Sequence, residues 1–445
     1  MSKQRYRPSR LSDIENLELY RPGGFHPIAI GDTFVDGRYR VLHKLGFGGS
    51  STVWLARDHW QRAQSSIGAL VTLKVLSAEK FSKPKDELPE LVVPIELDKL
   101  VSQSGVTDVH SGAMQTINHY FMHEGPNGNH LCLVYPFAGP SIYSMSECPG
   151  RVSGSRRLRA DLARKVANQT ASVIELMHSA GIVHGDLTTY NILFQASDHI
   201  SQWSDNEIYA TLGTPETEEI VTRDRSVPGP CAPRELVAPI DNSRLCSPHL
   251  LQEEIVVIDF GQSFFTKHRP KHYEPATVVH YLSPETRFEQ TISPASDIWA
   301  LACAIFEIRA GAPLFDPFLG DPVVMKDIIE TLGKLPDPWW DAFERRQTWF
   351  EHDGEPKSLE IQKQERILLP AVKNSVLQKL QGIGSQDDSP PTDEGRMIEK
   401  AGTRLREEEL ALLRDLLDKM LKYQPEERIT IQEVVRHPWF RYGSG

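Results

Sequence analysis

Cysteine is scarce: five in 445 residues, at Cys132, Cys148, Cys231, Cys246 and Cys303. The count is odd and no spacing resembles a metal knuckle, so a reduced intracellular chain is expected rather than a disulfide scaffold. A basic excess is also lacking. Lys and Arg number 49 against 60 Asp and Glu, a net charge of −11, which argues against a general nucleic-acid binder with a basic face. The acidity suits a solubilising surface, or a basic protein substrate. Long apolar runs are missing too. The most notable, Ile298–Phe306, falls far short of the roughly 20 residues that span a bilayer. The opening "MSKQRYRPSR" has no apolar stretch, so no signal peptide is expected. No internal repeat is visible. What remains is ordinary globular composition, with 40% hydrophobic residues, and a length that suits two or three domains or one large two-lobed one.

The first ~135 residues read as β-rich. "YRVLHKLGFGGSSTVWLA" is strand, Gly-rich turn, strand, with Tyr39, Val41 and Leu45 on alternate positions. "LVTLKVL" is a β-branched strand holding one Lys, and Asn127-Gly128 signals a hairpin. One short helix is expected near "PIELDKLVSQ", with Pro94 in its first turn. Helices then take over. Leu162, Val166, Val173, Ile174 and Met177 form one helical stripe that Gly181 can end. "EIVVIDFG" is a short buried strand, and "SDIWALACAIFEI" is apolar nearly all round, as a central buried helix is. The chain closes on two amphipathic helices split by Gln424-Pro425. Residues 195–253 and about 341–405 are rich in Pro, Ser and acids and read as partly disordered insertions. Residues 200–248 are therefore expected to be removable without loss of the fold.

Several short motifs carry chemistry. Gly46-Phe47-Gly48-Gly49-Ser50-Ser51-Thr52-Val53 places glycines between two strands, where backbone N–H groups can approach phosphates. An ordinary hairpin would read the same way on its own. Lys74 follows inside an apolar strand, where it must be paired or solvated. An edge-strand Lys is the plain alternative. The functional reading is a phosphate clamp fixed by a helix carboxylate, for which Glu96 is the candidate and Glu87 and Glu90 compete. "HGDLTTYNILF" sets Asp186 to accept a hydroxyl proton and Asn191 to hold a metal, and Asp259 of "VVIDFG" supplies the carboxylate for a shared one. Phe260 is expected to pack and Gly261 to let the chain turn. These are hard oxygen ligands, as Mg²⁺ requires.

In this order the motifs resemble those of eukaryotic protein kinases. "YLSPETR" is similar to the family's APE region, Asp297 to the residue that braces the catalytic loop, and "RITIQEVVRHPWF" to its closing stretch, with Arg428 set to pair with Glu285. The small-molecule phosphotransferases share "HGD…N" but would not be expected to carry these later features. "YRPGGFHPIAIGDTFVDGRYRVLHKLGFGGSSTVWLARD", "HLCLVYPFAGPSI" and "LGKLPDPWW" look like the SR-protein kinases, the last like fungal members.

The resemblance covers about residues 18–194 and 255–441. It implies an α+β, bilobal kinase-like fold with ATP in the cleft. An N-terminal extension (1–38) would precede a kinase domain (39–441). That domain would split into a small β-rich N-lobe (39–137) and a larger, mostly helical C-lobe (138–441). It implies an ATP- and Mg²⁺-dependent serine/threonine kinase, catalytic through Asp186, Lys74 and Glu96, with Asn191 and Asp259 on the metal. Leu45, Gly46, Phe47, Gly48, Gly49, Ser50, Ser51, Thr52, Val53, Lys74, Tyr135, Phe137 and Ala138 would contact the nucleotide. Substrates would be proteins, of Arg/Ser-rich splicing type. A cytoplasmic and nuclear monomer without direct nucleic-acid or membrane contact is expected. Two departures matter. Gly185 stands where most protein kinases have the Arg that reads a phosphorylated activation loop, so activity without that phosphate is expected. Thr188 stands where a Lys usually neutralises the γ-phosphate, which lowers the expected rate. A catalytically weak scaffold that binds ATP and protein partners is the alternative.

Overall fold

The computed structural model describes residues 4–60, 68–82, 87–104, 111–147, 155–268, 273–387 and 395–443. β-branched and aromatic residues on alternate positions build the first sheet. Its strands are β1 (Thr33–Phe34), β2 (Tyr39–Phe47), β3 (Ser51–Asp58), β4 (Ala69–Leu76), β5 (His119–Gly125) and β6 (Gly128–Pro136). They run antiparallel in the order β1-β2-β3-β4-β6-β5. One face buries Tyr39, Val41, Trp54, Val71, Leu73, Val75 and Val134. The other packs Leu76, Leu131, Leu133 and Tyr135 against Leu88 and Leu91 at the start of the helix Pro89–Ser104. The hairpin is where the sequence places it, but Gly125 pairs with Gly128, so its loop is Pro126-Asn127. Asn127 is buried and donates to the Phe25 and Cys231 carbonyls at 2.5 and 2.7 Å.

The helix differs from expectation. It begins at Pro89 and carries Pro94 in its interior. Pro89 is pre-set for a first turn, where a missing N–H costs nothing. A start five residues earlier adds more than one turn at the N-terminus and brings Glu90 into the helix.

Strand β2 differs as well. Tyr39 and Val41 are buried and Leu45 is half-buried, but Leu42, His43 and Lys44 are also buried. A half-exposed strand alternates, whereas one covered on both faces does not. The cover comes from the N-terminal extension and from the first insertion, whose composition reads as partly disordered. Residues of the N-terminal stretch and of 217–236 share one core of Tyr6, Leu17, Tyr20, Phe25, Ile220, Ala232 and Leu236. The 195–253 insertion is ordered, with a helix Asp205–Leu212 and a two-stranded pair Thr217–Glu219 and Glu235–Val237. Ser204 and Glu207 cap that helix reciprocally. Arg57 of β3 is fully buried and reaches Asp205 at 2.8 Å and the Trp203 carbonyl at 2.7 Å. Composition was a poor guide here because the few apolar residues of the insertion are contributed to a core shared with another segment.

This sheet and its cover make one compact unit (Met1–Lys99, Gln115–Pro140, Phe194–Gln252); the remainder of the chain makes a second. The second unit is helical. The stripe read from the sequence is the helix Ala160–Ser179, and its five residues are buried. Every residue from Ser296 to Arg309 in the helix Pro294–Ala310 is buried, as an all-round apolar helix must be. The 341–405 region is ordered over its described residues, with short helices at Arg346–Trp349, Leu359–Gln364 and Val376–Gly382. Arg157 and Arg309, both nearly fully buried, are met by Asp387 at 2.6 Å and Glu399 at 2.6 Å respectively.

Candidate active site

In the first unit, the Gly-rich segment joins β2 to β3. Gly46 and Phe47 end β2, Gly48 to Ser50 make the turn, and Ser51 to Val53 begin β3. Gly48 N–H donates to the Ser51 carbonyl at 2.9 Å. A Cβ added at Gly46 or Gly49 would meet nothing within 4 Å, and at Gly48 only Ser51 Oγ at 3.8 Å. None of the three has positive φ. The glycines therefore provide room beside the backbone rather than an unusual dihedral, which is what an incoming phosphate needs. Leu45 and Val53 are half-buried beside it.

Lys74 lies on β4, which is interior to the sheet, so it is not an edge lysine. Its ammonium pairs with the Glu90 carboxylate, both side chains being largely buried at 13% and 14% exposure. The expected partner Glu96 is not there. It is 43% exposed and pairs with Lys99 at 2.6 Å. The helix start explains the correction: Glu90 occupies the first turn, next to Leu91 and its contact with the sheet, and Glu96 lies about 120° around the axis. Glu87 precedes the helix and is exposed. Tyr135 is buried near the end of β6, and Phe137 and Ala138 follow half-buried.

In the second unit, the loop after Val183 holds Asp186 and Asn191. Asn191 Nδ2 donates to the Asp186 carbonyl at 2.8 Å and to Asp186 Oδ2 at 3.3 Å. The loop is fixed from one buried carboxylate. Asp297, in the first turn of its helix, accepts the His184 and Gly185 N–H groups at 2.8 and 3.0 Å and meets His178 Nε2 at 2.9 Å. Ile258 N–H donates to the Asn191 carbonyl at 2.9 Å, which sets Asp259 beside the same loop. Asp259 has φ +64° and accepts from Gly261 N–H at 3.3 Å. The turn thus rests on Asp259 and not on Gly261, which takes an ordinary φ. Asp is one of the few side chains that enters the left-handed region readily. Phe260 is buried, 5.6 Å from the His184 ring.

Gly185 has φ +80°, and its carbonyl accepts from Tyr273 OH at 3.0 Å and Thr277 Oγ at 2.9 Å. Ser263 Oγ donates to the His184 carbonyl at 2.9 Å. These hydroxyls hold the following segment onto the loop, a role the sequence did not reveal because the partner is a backbone carbonyl. Thr188 is buried and brings no charge. Farther along, Arg428 makes a bidentate pair with Glu285 at 2.8 and 2.6 Å, both buried, as expected. Burial pushes the Glu285 carboxyl up, but the Arg428 hydrogen bonds and charge outweigh it and hold it below the usual range.

Residues 248–440 match the protein kinase domain family. The chain is similar to the serine/threonine-protein kinase SRPK of Physarum polycephalum, 26% identical over 96% of this chain and 91% of that one. It is similar to protein kinase dsk1 of Schizosaccharomyces pombe, 26% identical over 78% and 75%. The human dual specificity protein kinase CLK1 is 24% identical over 93% of this chain and 68% of its own. The α+β fold, the motif geometry and these relatives agree: the chain is a serine/threonine protein kinase similar to the SR-protein kinases.

Proposed function

We propose that this kinase transfers the γ-phosphoryl group of Mg·ATP to Ser or Thr in Arg/Ser-rich proteins. The observation that carries the reading is the set of Asp186, Asn191 and Asp259, brought together by the Asp297 brace and the Ile258–Asn191 backbone bond. With Nδ2 spent on Asp186, Asn191 keeps its amide oxygen for a cation. Two carboxylates and an amide oxygen suit Mg²⁺, which takes hard oxygen ligands and leaves much of its shell to phosphate and water. Among the described residues, no cluster of three or more His, Cys, Asp or Glu has the form of an all-protein metal cage. Bound Mg²⁺ supplies charge neutralisation at the phosphates.

The chain's own groups would do the rest. Asp186 accepts the proton of the acceptor hydroxyl and aims its oxygen at the γ-phosphorus, as the bond to the ADP oxygen breaks. Lys74, paired with Glu90, would clamp the α/β-phosphates, and the Gly46–Val53 backbone N–H groups would approach them. Tyr135, Phe137 and Ala138 would contact the adenine. The resemblance to the SR-protein kinases and the net charge of −11 support a basic, Arg/Ser-rich substrate.

The test is radiolabel transfer from ATP to an Arg-Ser peptide. Lys74→Met, Asp186→Asn and Asp259→Ala are each expected to lower it by at least about two orders of magnitude. Near-normal transfer by Asp186→Asn removes the assigned base. No transfer by the parent protein, with ATP still bound, assigns it to the weak scaffolds instead.

A further inference from the structure

Tyr190 sits between Thr189 and Asn191, in the loop that carries Asp186. Its ring stacks on that of Tyr143, from the short helix Ile142–Glu147, with centroids 3.9 Å and planes 23° apart. Tyr190 is 40% exposed, whereas Leu187 and Thr189 in the same loop are buried. The loop therefore has its packing from other residues, and two large rings are left at the surface one residue from Asn191. Glu147 is exposed at the end of the Tyr143 helix, four residues and one turn beyond Tyr143, so it lies on the same helix face. Glu147 already accepts one guanidinium, that of Arg156, at 3.3 Å.

An aromatic face is electron-rich and attracts a cation lying over it. A guanidinium is flat and weakly hydrated and stacks well, while an ammonium is a compact, strongly hydrated charge. A carboxylate surface alone attracts both. A ring pair edged by one carboxylate selects the flat one.

We propose that the Tyr143–Tyr190 stack is a substrate subsite, on which the guanidinium of an Arg flanking the phosphoacceptor lies flat with Glu147 at its edge. This rests on the Arg/Ser-rich reading above and adds to it how Arg would be told from Lys.

The test compares kcat/KM for an Arg-Ser repeat peptide and a matched Lys-Ser repeat in the parent enzyme, Tyr190→Leu, Tyr190→Phe and Tyr143→Leu. The expected result is a parent preference for Arg that falls by about five-fold in Tyr190→Leu, the scale of one partly exposed cation–π contact. Tyr143→Leu should show the same direction, Tyr190→Phe should keep the preference because the ring remains, and Lys-Ser rates should stay within about two-fold. An equal fall for both peptides would mean that Tyr190 only supports the loop and overturns the subsite. A parent preference that survives both Leu substitutions overturns the subsite and leaves the substrate reading standing. No Arg preference in the parent enzyme overturns both.

Discussion

An Arg at position 185 would need space that is already taken. A Cβ there would come within 2.7 Å of the Gln262 carbonyl oxygen and 2.8 Å of Tyr273 OH, at φ +80°. The contacts that a phosphate and an Arg make elsewhere are replaced here by Tyr273 and Thr277 on the Gly185 carbonyl. The enzyme from bacterial expression is therefore expected to keep its rate after phosphatase treatment, measured by peptide phosphorylation. A large loss would point to a basic phosphate reader such as Lys267; Arg269 lies outside the described residues. The same scale separates two carboxylates six residues apart. Glu90→Gln should lower kcat/KM by about ten- to a hundred-fold, because Lys74 loses its partner, while Glu96→Gln should stay within about two-fold. A reversed result would return the role to Glu96.

Between elements, one tie in the first unit is fully buried. Lys44 of β2 pairs with Glu15, with side-chain exposures of 0% and 2%. Its ammonium lies 5.7 Å from the Phe47 ring centroid and 5.4 Å from that of Trp54. Ile240 N–H donates to the Lys44 carbonyl at 2.9 Å, and Tyr209 OH to that of Leu42 at 3.2 Å. The N-terminal stretch and the 195–253 insertion thus both fasten to the strand that leads into the Gly-rich turn. Glu15→Leu should destabilise by about 3–5 kcal/mol in urea unfolding, because Lys44 is left charged and buried without its partner. The double variant with Lys44→Met should recover most of that. For the same reason, deleting residues 200–248 should give insoluble protein, since it opens the core of Tyr6, Tyr20, Phe25 and Leu236. Soluble, folded deletion protein would show that β2 tolerates an uncovered face.

At the scale of the whole molecule, buried ionisable groups set the acid limit. His26 packs against His123 and His130, with ring centroids 4.4 and 5.0 Å apart. Burial, then the neighbouring imidazoles, pushes His26 down to about 3, and burial pushes the other two down as well. A lowered folded value means that the unfolded chain binds the proton first. The contribution is complete above about pH 6.5 and is lost progressively as pH falls toward the folded value, costing about 2 kcal/mol for His26 alone by pH 5. Glu285, also lowered, adds its loss only below the ordinary carboxylate range, nearer pH 4. Tm should therefore drop between pH 7.5 and 5.0, and His26→Phe should make that drop smaller. An equal drop in both proteins would remove the histidine cluster as its source.

The local motifs determined much of the protein by themselves. The Asp297 brace and the Glu285–Arg428 pair were legible, as were Lys74, Asp186, Asn191 and Asp259 as candidates, because each is a residue type with one demanding chemistry at a characteristic place. The helices Ala160–Ser179 and Pro294–Ala310 were legible from apolar periodicity. Tertiary structure decided what periodicity does not encode. The choice of Glu90 over Glu96 turned on which helix face packs on the sheet, since the two lie about 120° apart around the axis. Burial of Lys44 turned on what covers β2, and the covering residues come from segments far apart in the chain that share one core. The clamp on Gly185 and the Tyr143–Tyr190 stack are contacts across 88 or more and 47 positions respectively. Such pairings bring together groups that are unremarkable along the chain, so only the fold gives them their meaning.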